Sequence, residues 1–250
     1  MENSKILQKI KKIDILILIS LTLILAALFW INYSDVNLKI QNYLFNFQSK
    51  EWLVDKDELV KKILFYKLPK ILLGFAIIGC LFAVIFGFQL LPQIKIISVF
   101  SDGLMSYFQK NRHRFFLIFL GLSLIPLIAG NIKKFTNVYC PNQLEIYGGD
   151  KPYIKIFDHY PEGFTQIKKA KCFPAGHAVT GFALMILFFA LSGFYAFLGL
   201  AGAISLGWII GFYQMAKGAH FFGDTLVSML VCFFLAALIA RIYLKFQKYD

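Results

Sequence analysis

Two stretches of this 250-residue chain carry side chains spaced for chemistry. The first is Lys171-Cys172-Phe173-Pro174-Ala175-Gly176-His177-Ala178, where a lysine-rich segment gives way to a long apolar one. Pro174 has a fixed φ and no N–H, so it suits the first turn of a helix. Gly176 lets the backbone come close to a ligand because no Cβ intervenes. His177 then stands near a helix N-terminus, where free N–H groups and the helix dipole favour an anion. The second stretch is Lys217-Gly218-Ala219-His220-Phe221-Phe222-Gly223-Asp224. On a helical turn His220 and Asp224 share a face, so the carboxylate can orient the ring. A base held by an orienting group is the arrangement of an activated nucleophile. No His, Cys or Asp cluster has compact metal-ligand spacing, so no metal and no other cofactor is expected.

The elements that must position these residues are membrane helices. The chain is 58% hydrophobic with a mean hydropathy of +0.66, above the roughly 45–50% apolar content of soluble domains. The net charge of +12 does not signal nucleic acid. Its Lys and Arg lie mostly between apolar runs, as headgroup anchors and topology signals, and no basic soluble domain interleaved with aromatics is present. No protein partner is identifiable; the expected partners are the bilayer and a substrate within it.

The apolar runs predict an all-α bundle of six transmembrane helices, near residues 13–31, 70–91, 115–130, 178–192, 194–213 and 225–243, forming one domain over 1–250. The first run is too long for the apolar core of a signal peptide and reads as an uncleaved helix. Residues 178–216 carry no charge and must form two helices turning near Ser192-Gly193. Gly207 and Gly211 offer a helix-packing face. Between Asn32 and Pro69, Leu59, Ile63 and Leu64 have helical spacing with Trp52, Phe65 and Tyr66 nearby. This segment reads equally as an interfacial amphipathic helix or as a solvated loop. His113 reads as one of a solvated basic cluster with Lys110, Arg112 and Arg114. His159 reads as a loop residue, Tyr147-Gly148-Gly149-Asp150 as a turn, and Lys168, Lys169 and Lys171 as headgroup attractors.

Six crossings place both termini on one side. The flanks there are Lys-rich and poor in acid, counting Lys95 and the basic residues after the sixth run, so the positive-inside rule makes that side cytoplasmic. The polar loop 131–172 between helices 3 and 4, His177 and the 217–224 turn then share the opposite face. Cys140 and Cys172 share that outward loop, and in an oxidising compartment they are expected to form a disulfide.

Lys133 with Pro141, Pro174-Ala175-Gly176-His177 and His220-x-x-x-Asp224 together resemble the motifs of the type 2 phosphatidic acid phosphatase superfamily of membrane lipid phosphatases. The likeness is close over roughly the last 120 residues and is similar to bacterial members, some of which act on lipid A phosphates. It implies that His220 attacks phosphorus to form a phosphohistidine, that Asp224 holds its tautomer, and that His177 protonates the leaving alkoxide. The chain departs from the pattern at three places. Cys140 stands at one motif arginine, Tyr213-Gln214 stands for Ser-Arg, and Ala175 replaces a serine. Lys133, Lys217, Lys134 and the Gly176 N–H are the expected phosphate ligands in their stead; lysine gives a point charge where arginine gives a two-pronged grip. The resemblance thus implies a phosphatase of lipid A in the bacterial inner membrane, its site facing the periplasm. Undecaprenyl pyrophosphate or a phospholipid phosphate is the alternative substrate, and a silent binder of lipid phosphates is the alternative class.

Overall fold

Each long apolar run folds as a helix because a chain in lipid must satisfy its backbone polar groups internally. The computed structural model describes residues 2–90 and 102–247, and these are mostly helical. In order come α1 (Glu2–Tyr33), α2 (Val36–Asn42), a short hairpin of β1 (Phe45–Asn46) and β2 (Glu51–Trp52), α3 (Leu59–Gly87), α4 (Asp102–Ile132), α5 (Val179–Ala190), α6 (Phe194–Ala216) and α7 (Phe222–Gln247). Leu91, Lys95 and Lys248, which entered the expectations above, lie outside the described residues.

Among the described residues five helices, α1, α3, α4, α6 and α7, are long and apolar enough to cross a membrane. Their outward faces expose apolar side chains such as Leu18 and Phe29 on α1 and Phe75 and Ile78 on α3. Apolar surface of that extent belongs against lipid, and the chain is a multi-pass membrane protein.

The run expected to span the bilayer at 178–192 takes a different form. α5 has only 12 residues and passes through a tighter turn at Ala183–Met185, so at 1.5–2.0 Å per residue it falls short of a ~30 Å core. Its side chains are buried nearly all round by protein, with Phe182, Ala183 and Ile186 fully enclosed. Gly181 lies against the backbone of Gly207, Gly207 receives the Phe182 ring, and Gly211 receives Thr225. The glycines of α6 thus seat α5 on one turn and α7 on the next. The turn between α5 and α6 falls at Gly193, in a positive-φ conformation.

α1 and α7 run antiparallel. Trp30 meets Phe222 edge-on at one end, and Asp14 pairs with Arg241 towards the other. The start of α1 and the end of α7 therefore lie together, opposite His220. At that far end His113 is half-buried, its Nδ1 2.6 Å from the Tyr243 hydroxyl. It packs between α4 and α7 instead of standing among solvated cations.

The segment expected to be either an interfacial helix or a loop is helical from Leu59 and continuous with the span that follows, through a wider turn at Ile63–Lys67. Pro69 explains the wide turn: it has no N–H for the carbonyl four residues back, and its ring would strike that carbonyl. The ladder shifts, and Leu68 N–H bonds Ile63 O five residues back.

Candidate active site

Three clamps hold the turn that carries His220. Gln41 on α2 donates to Met215 O at 2.9 Å, Val54 N–H to Ala216 O at 3.0 Å, and Asn142 N–H to Gly218 O at 2.8 Å. Gly218 has φ +73° and lies flat on the Trp52 indole, so a side chain here would meet both strain and the ring. Asn37 Oδ1 accepts the Gly223 N–H at 2.8 Å, capping the start of α7 as side-chain oxygens commonly do at free helix N–H groups.

Within this frame His220 Nδ1 lies 3.1 Å from Asp224 Oδ2, and both side chains are 4% exposed. The same carboxylate oxygen accepts the Phe221 N–H at 3.0 Å. Asp224 is thereby fixed before it meets the ring, and it selects the tautomer that leaves Nε2 with a free lone pair. Burial pushes His220 below its ordinary pKa while Asp224 opposes the shift; the neutral, nucleophilic ring is the result.

His177 comes from the loop entering α5. Ala175 N–H donates to Asp224 O at 3.1 Å, and Ser228 Oγ lies 3.2 Å from Ala175 O, so α7 holds both histidine segments. The two rings stand 6.0 Å apart. His177 Nδ1 is buried and meets no partner among the described residues. Burial first, then electrostatic repulsion between its protonated form and His220, Lys70, Lys133 and Lys217, pushes His177 down to about 3.

Cations surround this histidine. Lys133 lies across Gly176, where a Cβ would come within 2.9 Å of Lys133 Cε. Burial lowers the Lys133 pKa, with Asp224 opposing and Lys70 adding to the shift. Lys217 ends α6; its Nζ sits 4.7 Å from the Tyr213 ring centre and 5.3 Å from that of Tyr66. Its pKa is lowered by burial and then by Lys62 and Lys70. His177, His220, Asp224, Lys133, Gly176 and Lys217 thus form one site. Lys134 instead is exposed on the turn after α4. His159 and Lys168, Lys169 and Lys171 lie in the exposed part of the polar cap.

Tyr66 and Lys70 also reach the site. Tyr66 lies 4.7 Å from His177 ring to ring, and Lys70 Nζ sits 4.0 Å above Tyr66. Nothing in the local sequence marks them, since an aromatic beside a lysine at a helix entry has the pattern of a headgroup anchor.

The polar cap is tied to this site. Cys140 and Cys172 are joined as a disulfide with Cα atoms 5.1 Å apart. Cys172 N–H bonds Val138 O at 3.1 Å, and Thr136 Oγ donates to Phe173 O. Asn137 Oδ1 takes the Ala170 N–H at 2.9 Å. Cys172 Sγ lies 3.5 Å from both His220 Nδ1 and Asp224 Oδ2; bonded to Cys140 it has no hydrogen to donate, so these are packing contacts. Cys140, Cys172 and His220 would have the proximity of metal ligands, yet joined sulfurs offer no thiolate. The two positions where the resemblance implies arginines carry no cation. One is Cys140, and the other is Gln214, fully buried, its amide unpartnered among the described residues.

No curated protein and no solved structure matches the chain. The family model described as the PAP2 superfamily matches residues 114–248, more than half of it, spanning Lys133, His177, His220 and Asp224. The chain therefore belongs to the PAP2 superfamily, phosphatases that act on phosphate esters.

Proposed function

We propose that this protein removes a phosphate monoester from a membrane lipid, lipid A in the first instance, through a phosphohistidine on His220. The observation that carries this reading is the buried His220–Asp224 pair with His177 6.0 Å away, ring to ring. A silent binder of lipid phosphate needs cations but not a neutral histidine oriented by a fixed carboxylate beside a second histidine.

The ester phosphate enters among Lys133, Lys217 and the Gly176 N–H, which offset the charge on its equatorial oxygens. His220 Nε2 attacks phosphorus, the ester P–O bond breaks, and Asp224 stabilises the ring as it becomes positive. His177 gives a proton to the departing alkoxide. Its pKa follows the charge around it. A phosphate lodged among the same lysines supplies the negative charge that raises it, and a singly protonated phosphate can bring the proton. In the second step neutral His177 takes a proton from water, the hydroxide attacks phosphorus, and the N–P bond breaks to release phosphate and restore His220. Both steps balance with side chains and water alone.

In this reading α5, short because protein rather than lipid encloses it, carries the chain back as a fourth pass and α6 is the fifth, in a six-pass, single-domain bundle in the bacterial inner membrane. Both termini are cytoplasmic and the site faces the periplasm, as the positive-inside rule favours. The test is phosphate release by detergent-purified protein from lipid A, undecaprenyl pyrophosphate and phosphatidic acid, beside His220→Ala. Release that His220→Ala abolishes supports a phosphatase, and the fastest substrate names the lipid. Phosphate bound but never released from any of them favours the silent binder.

A further inference from the structure

α3 lies outside the residues matched by the family, yet it reaches the histidines. The wide turn before Pro69 makes this reach possible. In a regular helix neighbouring residues point about 100° apart, whereas an inserted five-residue turn broadens the face they share. Here the adjacent Phe65 and Tyr66 both turn inward: Phe65 lies 5.3 Å from the Tyr213 ring on α6, and Tyr66 4.7 Å from His177. Such turns recur at functional sites.

Lys70, one turn on, holds its ammonium 4.0 Å over the Tyr66 ring. An aromatic face attracts a cation through its quadrupole but carries no net charge. The ring fixes Lys70 without neutralising it. Among the described residues, Lys61, Lys151, Lys155 and Arg241 each have a carboxylate within ion-pair distance, whereas Lys70, Lys133 and Lys217 have none. These three lysines stand around the histidines, Lys133 across Gly176, Lys70 over the Tyr66 ring that meets His177, and Lys217 beside Tyr66 and Tyr213, and Lys70 is felt by His177, Lys133 and Lys217 alike. Lys133 approaches from the end of α4 and Lys217 from the end of α6. A tetrahedral anion is gripped best from several directions, and α3 offers a third.

We infer that Lys70 binds the phosphate group directly and that Tyr66 is a positioning residue for Lys70 and His177, so that α3 supplies a grip the two vacant arginine positions do not. The inference rests on the reading of this site as one that takes a phosphate, and it adds residues that the family's motifs do not contain.

The test is titration of inorganic phosphate into the detergent-purified full chain by calorimetry, with lipid phosphate in mixed micelles as competitor. Lys70→Ala should weaken phosphate binding about tenfold or more, as loss of one charged contact does. Lys70→Arg should stay within about threefold of the parent. Tyr66→Ala should follow Lys70→Ala, and Tyr66→Phe, which keeps the ring, should restore binding; a merely structural tyrosine would not separate the two in this way. Unchanged thermal stability of Lys70→Ala keeps a folding defect out of the result. Phosphate bound as tightly by Lys70→Ala as by the parent, or not bound by the parent at all, overturns the inference. Lys70-dependent binding without turnover of any lipid supports it while removing the phosphatase reading. Turnover that needs His220 but ignores Lys70 overturns it and leaves the phosphatase standing. Displacement by lipid phosphate assigns the site to a headgroup, and its failure assigns the same Lys70 contact to free phosphate.

Discussion

Cys172 Sγ lies 3.5 Å from His220 Nδ1, so the disulfide to Cys140 walls the His220 ring on the side of the Asp224 carboxylate. Where related sequences are expected to carry an arginine, this chain has a covalent tie between the Lys133 strap and the mouth of α5. It closes a loop with a separation of 32 residues, which in the chain-entropy account is about 3–4 kcal/mol of stability. The double variant Cys140→Ser, Cys172→Ser should unfold at clearly lower temperature in detergent. It should lose phosphate release more than tenfold, because Lys133 and His177 no longer share a fixed frame. Thermal melts of both proteins beside their initial rates measure this; an unchanged melting point would remove the tie from the account.

Asp224 acts through His220 and through the backbone. Asp224→Asn keeps a side chain of the same shape but offers the ring the wrong polarity, so His220 turns to the unproductive tautomer. Turnover should fall by about 10³-fold or more, the scale seen when an orienting aspartate is amidated. Inorganic phosphate, held by the lysines, should bind within a few-fold of the parent. Rates and calorimetry on the one preparation separate these effects.

The depressed pKa of His177 couples stability to pH. Its folded value is about 3 against an ordinary 6.5, through burial and then repulsion of its protonated form by His220, Lys70, Lys133 and Lys217. Between these two pH values the unfolded chain binds the proton and the folded chain does not, so unfolding gains from acid. The stability tied to a neutral His177 is fully present above about pH 6.5 and is lost as pH falls toward 3. The slope is at most about 1.4 kcal/mol per unit for one proton. His220, also shifted down, adds with the same sign. His177→Gln should flatten the decline of the melting temperature between pH 6.5 and 4. Added phosphate should raise the acid-side stability of the parent, since the anion stabilises the protonated ring.

Gly218 holds the turn that carries His220 in a conformation open to glycine, against Trp52. Gly218→Ala brings both positive-φ strain and a clash with the indole, about 2–4 kcal/mol together. Activity should fall further than stability alone explains, because Lys217 and His220 flank the displaced residue. Trp52→Ala in the same background should recover part of the stability by making room; no recovery would show that strain alone is responsible.

The chemistry of the site was the most legible part of the sequence, because spacing carries it. His220 and Asp224 are four apart, and His177 follows a Pro-x-Gly element, so local geometry brings them near chemistry wherever the chain runs. The long apolar runs announced their helices for the same reason. The length of α5 was not legible, since an uncharged run does not reveal whether lipid or protein surrounds it; here Gly181 and Gly207 allow protein to do so. Tyr66 and Lys70 were invisible because their meaning lies in the contact of Tyr66, under Lys70, with His177 more than 100 residues away. Asn37 escaped notice likewise: its role as a cap exists only once α2 lies beside the start of α7.

The measurement that bears most directly on the central claim is rapid acid-free quenching of the protein with ³²P-labelled lipid A, followed by peptide mapping. A burst of base-stable, acid-labile label on His220 is expected, absent in His220→Ala and reduced in Asp224→Asn. Steady release of phosphate with no label on His220, or with label on another residue, would contradict it.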